Sequence, residues 1–299
     1  MNVLGVSRYG ISRWVIGLTS LSFFATATLA ADMPKKSDHV PTPAAMVQKH
    51  GISAHAQALV RAHRQKLVQE AVVAQREIVA ALVALDRKDS KSAFKDLTRA
   101  AGKLDVVLAR DPKLKLAPID VRASVIDQES TPDTIARVVK DAKAALDSGK
   151  IQEARTLLTA MTSEMRVSTD YLPLEIYPQA IKLASQQIQH NHLSAASATL
   201  AGALSSVVTG EEIVPLAPIK AQADVDHAVN LFSADKTKNR DHVLALLDEA
   251  STDLKAGTEL GYGKYSEIQK EIATVRDEVG AGHAKLSVFA KLKKYLESV

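Results

Sequence analysis

Apolar residues begin to recur at three- and four-residue spacing after Leu59. Leu67, Ala71, Ala74, Ile78, Leu82 and Leu85 fall on one face of a helix. Two later stripes, Val243-Leu247-Ala250-Leu254 and Ile268-Ile272-Val275-Val279, repeat the pattern with charges on the other faces. Ahead of this, residues 31–58 carry three prolines and no sustained period. That pattern predicts a flexible leader followed by a single helical domain over 59–299.

A repeat runs through the helical part. Segments 84–97, 145–158 and 187–200 each place an apolar residue (Leu85, Leu146, Ile188) eight positions before an alanine (Ala93, Ala154, Ala196). Leucine follows four positions later (Leu97, Leu158, Leu200). The stretch between is polar, with Gly149-Lys150 the sharpest turn signal. Helix, short turn, then a helix whose alanine admits a close neighbour is the logic of a helical hairpin. A looser fourth copy spans 231–247. The unequal spacing of the copies argues against a regular solenoid.

Part of that spacing is taken up by two related segments. In 116–126, Ile119, Val121, Ala123 and Val125 alternate with Asp120, Arg122 and Ser124, as in a half-buried strand after proline. Segment 216–226 begins with the same Leu-Ala-Pro-Ile and also alternates, but Val225, Ala228, Val229 and Phe232 fit a helix equally well. Thr131-Pro132 predicts a capped helix start. The expected fold is therefore mainly α: an irregular array of helical hairpins with a small β element of one to three short strands.

The first 30 residues have a different character. Arg8 and Arg13 precede an apolar run over 14–30, which ends in Thr28-Leu29-Ala30 followed by Ala31-Asp32. A positive start, a short apolar middle and a small-residue exit describe a secretory signal peptide cut after Ala30. The run is short for a membrane span and carries five Ser or Thr. The expectation is cleavage, a periplasmic mature chain and no stable membrane span in it.

Composition narrows the function classes. The chain has no cysteine, which removes disulfides, thiol chemistry and cysteine-based zinc sites. Aromatics are 4% against 46% hydrophobic residues overall, so the core must be Ala, Leu, Val and Ile. The formal charge of +4 falls to +2 without the signal's two arginines. With charges of both signs interspersed and few aromatics, no nucleic-acid surface is expected.

In segments 115–127, 145–158, 168–181 and 248–265 the chain resembles the YfdX family of bacterial exported proteins. The likeness runs over roughly Val72 to Leu296. It implies a periplasmic, largely helical and oligomeric protein associated with stress response and acid resistance. It brings no catalytic residues with it.

Candidate chemistry is sparse. His190 and His192 supply two imidazoles where a transition-metal site needs three or four ligands, so no metal or other cofactor is expected. The same pair is the candidate pH-responsive element, because imidazole titrates near neutrality. Glu211-Glu212 reads as a polar turn, and Asp224 and Asp226 as solvated carboxylates. Tyr171, Tyr177, Tyr262 and Tyr265 fall between helices and form the candidate recognition surface, although core-edge packing would also account for them. The basic amphipathic segment around Leu286, Phe289, Leu292 and Leu296 is expected to dock on its own domain. The functional expectation is a non-enzymatic stress protein binding a partner protein or a small apolar ligand. An envelope enzyme of hydrolase type and a self-assembling structural protein are the alternatives.

Overall fold

The computed structural model describes residues 43–127 and 130–297. The expected signal peptide with its cut after Ala30, and the first part of the expected leader, lie outside the described residues. Within them the repeat is realised as hairpins. Helices α2 (Gln69–Asp86) and α3 (Ser90–Arg110) form the first, α4 (Pro132–Asp147) and α5 (Ile151–Thr159) the second. The third is α6 (Tyr177–Gln189) with α7 (Leu193–Leu204), and the fourth α8 (Leu216–Asp235) with α9 (Arg240–Glu259). Ala93, Ala154 and Ala196 are fully buried where each second helix meets its partner.

The first three turns share one backbone design. Three residues after the repeat's first apolar position stand Lys88, Gly149 and Asn191, with φ of 58°, 72° and 57°. In each turn the next N–H reaches back to a carbonyl five residues earlier. The bonds are Asp89 to Ala84 at 2.9 Å, Lys150 to Ala145 at 2.8 Å and His192 to Gln187 at 2.8 Å. This left-handed closure caps the first helix's free carbonyls and aims the chain into the second helix. Glycine fills it without strain; lysine and asparagine do not. Thr131 caps α4 as its sequence suggests, its side chain accepting the Thr134 N–H at 3.3 Å.

Three strands alternate with the hairpins. β1 (Leu116–Asp127), β2 (Ser163–Pro173) and β3 (Val208–Pro215) form an antiparallel sheet in that order. Hairpin α4–α5 joins β1 to β2, and hairpin α6–α7 joins β2 to β3. Pro118, which has no N–H for the ladder, sits at the register shift in β1. Glu211 and Glu212, expected in a turn, lie in β3 opposite Ser168 and Val167. Segment 216–226 is not a strand but the first half of α8, whose stripe Ala217-Ala221-Val225-Ala228-Phe232 is buried at helical spacing.

The leader expectation needs correcting from residue 43 onward. Residues 43–64 form α1 (Pro43–Arg64), which packs on α8 and on the sheet. Its contact face is Gln48, Gly51 and Ile52, continued by the partly buried Ala56, Leu59 and Val60, so the apolar stripe is confined to its second half. A Cβ on Gly51 would lie 2.7 Å from the Ala223 Cβ; glycine allows the two helices to cross that closely.

Burial divides into three clusters. The first joins hairpins α2–α3 and α6–α7, with Leu85, Leu97, Ile188 and Leu200 inside it. The second joins α8 and α9 to α10 (Ser266–Gly280) and α11 (Leu286–Leu296). There Phe289, Leu292 and Leu296 dock the terminal helix, flanked by Lys291–Glu271 and Lys293–Asp226 ion pairs at 2.7 Å each. The third is small, with Ile52, Val121, Met165, Val167 and Leu216 lying between α1 and the sheet.

Candidate functional site: a carboxyl pair gripped by the first helix

The densest polar arrangement lies where α1 crosses α8 and α9. Asp224 of α8 is wholly buried, in a helix face otherwise made of alanine, valine and phenylalanine. Gln48 of α1, also buried, donates its side-chain amide to Asp224 Oδ2 at 2.7 Å and to Asp253 Oδ2 of α9 at 2.9 Å. One amide thus holds two carboxyls from two other helices. Asp224 Oδ1 meets no donor.

Burial pushes the Asp224 carboxyl up to about 8, with the Gln48 hydrogen bond pulling weakly the other way. Burial also raises Asp253 to about 7; Lys220 opposes the shift and Glu249, one turn away on α9, adds to it. Both groups therefore prefer the neutral acid around pH 7, because a charge there has lost its water and gained too few partners.

Asp253, Gln48, Lys220 and Glu249 line a cleft of about 390 Å³ together with Ser163 and Tyr262. Lys220 is held by Asp127 at the end of β1, at 2.7 Å to Oδ2. Ser163 donates to the same carboxylate at 2.9 Å. Tyr262 donates to Glu164 Oε2 at 2.6 Å, and its hydroxyl accepts the Ser163 N–H at 3.2 Å. Burial and the Glu164 contact push the Tyr262 phenol up to about 12. Gly257 gives the cleft its shape: a Cβ there would lie 2.5 Å from the Ala217 Cβ. A carboxyl that titrates near neutrality beside open space can give or take a proton. Here its oxygen is already occupied by Gln48, and the nearest cation is neutralised by Asp127.

The residues singled out by sequence fall elsewhere. His190 and His192 are exposed at the tip of hairpin α6–α7 with ring centroids 6.3 Å apart, and neither makes a side-chain hydrogen bond or ion pair among the described residues. Among those residues no group of three or more His, Asp or Glu converges as metal ligands would, and no helix is long and apolar enough to cross a membrane. The four tyrosines do not make one surface. Tyr177 is wholly buried in the first cluster and Tyr265 is buried in the second. Tyr171 lies in β2 against Gly210, and Tyr262 belongs to the cleft. Tyrosine at a connection packed as core edge in two cases of four. Asp224, expected to be solvated, is the group on which the site turns.

Comparison with known proteins reaches the hairpins and the sheet rather than the carboxyl pair. The family model described as YfdX protein matches residues 74–213. Residues 74–213 carry a YfdX domain. The YfdX match begins inside α2 and ends inside β3, so it takes in three hairpins and the sheet. Gln48, Lys220, Asp224, Asp253 and Tyr262 lie beyond it, as does segment 248–265, one of the passages that carried the resemblance. A solved structure of YfdX from Salmonella Typhi is 15% identical, with a TM-score of 0.37, covering 50% of this chain and 93% of that one. No curated protein matches the chain.

Proposed function

We propose that this is a non-enzymatic, exported, stress-associated protein that binds a protein partner through hairpin α4–α5 and is held together more firmly in acid. The observation that carries the reading is a broken equivalence among the repeats. Leu85 and Leu97 of the first hairpin and Ile188 and Leu200 of the third are buried together, each hairpin covering the other. Their counterparts on the second hairpin, Leu146 and Leu158, are 48% and 45% exposed, with Ile151 beside them at 63%. Ala154 is buried there like its counterparts, so the hairpin itself is properly closed. A face that its repeats bury against another hairpin is left here without one, and clustered exposed apolar side chains mark interaction sites.

The surrounding charges are mixed, with Asp147, Lys150, Glu153 and Arg155 close in sequence, so a second copy can approach without a single-sign repulsion. A second copy is the partner to test first. Sedimentation velocity of the mature chain at micromolar concentration, at pH 5 and pH 7, should show a dimer or larger species. Replacing both Leu146 and Leu158 with glutamate should return it to monomer with unchanged helical circular dichroism. A monomeric wild-type chain that also fails to slow aggregation of acid-treated client proteins would overturn the reading.

A second reading, an envelope hydrolase, has Asp253 in its favour as a neutral-range acid at a cleft. Hydrolysis of ester or amide substrates that disappears in Asp253→Asn would establish it.

A further inference from the structure

The other end of α1 carries a feature that neither the carboxyl pair nor the hairpin face uses. Between the last turns of α1 and strand β1 runs a groove of about 660 Å³. Its floor is apolar: Ala56 and Val60, one helical turn apart, and Val121 and Ala123 from the same face of β1. These residues border the smallest of the three cores. Arg61 and Arg64 stand on its rim, both exposed.

Neither arginine has a carboxylate within ion-pair distance, whereas five of the other ten arginines in the described residues do: Arg99, Arg110, Arg122, Arg166 and Arg276 are each held by Asp or Glu. Arg122, the third arginine at the groove, is spoken for. Its side chain alternates to the opposite face of β1 from Val121 and Ala123 and grips Asp170 at 2.6 Å. His63, between the two free arginines, pairs with Glu212 at 3.2 Å. The pull of a helix C-terminus on cations explains why basic residues end α1. It does not explain an apolar trough beneath two guanidiniums that have no anion.

We propose that this groove binds an anionic amphiphile: an alkyl chain lies along Ala56, Val60, Val121 and Ala123, and a carboxylate or sulfate head is held by Arg61 and Arg64. Guanidinium forks suit oxyanions of this kind, and the volume falls in the range of small-molecule sites. The inference is independent of the protein-partner reading, because it concerns a different face.

Isothermal titration with laurate below its micelle concentration, on the mature chain, tests it. The expected result is one-to-one binding that weakens as salt rises. It should fall at least tenfold in Arg61→Gln/Arg64→Gln, whose side chains hold no other residue in place. Monolaurin, with the same chain and no charge, should bind at least tenfold less tightly than laurate. Dodecyl sulfate should bind comparably, which identifies the head-group chemistry as oxyanion rather than carboxylate alone. Equal affinity for monolaurin and laurate, unaltered laurate binding in the double variant, or binding to anionic vesicles with none to monomeric laurate would each overturn the proposal.

Discussion

Stability should fall as pH rises from 5 towards 8, against the trend set by ordinary paired carboxylates. Asp224 keeps its proton in the folded chain up to about pH 8 and loses it near 3.8 when unfolded. Between those values the folded state binds one more proton than the unfolded one, so unfolding becomes easier by about 1.4 kcal/mol per pH unit. From pH 5 to pH 7 this one group removes about 3 kcal/mol. Asp253 acts in the same direction but more weakly, because Lys220 and the open cleft attend it. Asp89, Asp170 and Glu70 are held below the usual carboxylate range by their hydrogen bonds. Above about pH 6 they are ionised, folded or not, and leave the slope alone. His55, lowered by burial, works the other way as pH drops through the mid-sixes. Comparison with Asp224→Asn isolates the carboxyl. That amide cannot ionise, and its oxygen can still accept from Gln48. Urea unfolding followed by circular dichroism at pH 4.5, 6 and 7.5 is the assay. The variant should be more stable than wild type at pH 7.5 by about 5 kcal/mol, with the gap closing towards pH 4. If wild-type stability rises with pH across this window, or the variant keeps the wild-type slope, the protonated pair is not what holds α1 down.

Two further outcomes follow from packing and backbone geometry. Gly257→Ala should destabilise by about 1–3 kcal/mol in the same urea assay, since the new methyl meets Ala217 and Tyr265 between packed helices. Gly149→Lys should cost about 1 kcal/mol by placing a side chain in the left-handed turn, and the reverse change Lys88→Gly should cost nothing or gain a few tenths.

Helical periodicity and the apolar–alanine–leucine spacing carried most of the architecture, because a hairpin is a local object: its two helices and its turn lie within a few dozen residues. β1 was legible for the same reason, its alternation running over the seven positions from Ile119 to Val125. β2 and β3 were not. β2 is buried at Met165, Val167, Ser168 and Thr169 alike, which erases the period, and β3 buries none of its residues and exists through its pairing with β2. The twin segments beginning Leu-Ala-Pro-Ile diverged because the second continues with a helical stripe through Phe232 that the first lacks. The site was the least visible part. Gln48 sits in a stretch of weak amphipathicity, and its role depends on residues far along the chain. Asp224 did leave a trace: a carboxylate standing among Ala217, Ala221, Val225 and Ala228 interrupts an apolar face, where a solvated acid would not be.

The distance in sequence between Gln48 and its partners has a consequence for the order in which the molecule can be assembled. Asp224 lies 176 residues further on and Asp253 lies 205. The hairpins and the strands beside them can close as soon as each has emerged, since their contacts are near neighbours along the chain. α1 is synthesised before all of them; β1 and β2 supply part of its seat, but Gln48 has nothing to grip until α8 and α9 exist. The first of the described helices is therefore among the last to be fully seated, and until then Val121 and Met165 of the sheet lack the full cover that α1 and Leu216 of α8 give them. A chain stalled short of α9 would expose that trough, which makes the seating of α1 a marker of completed folding.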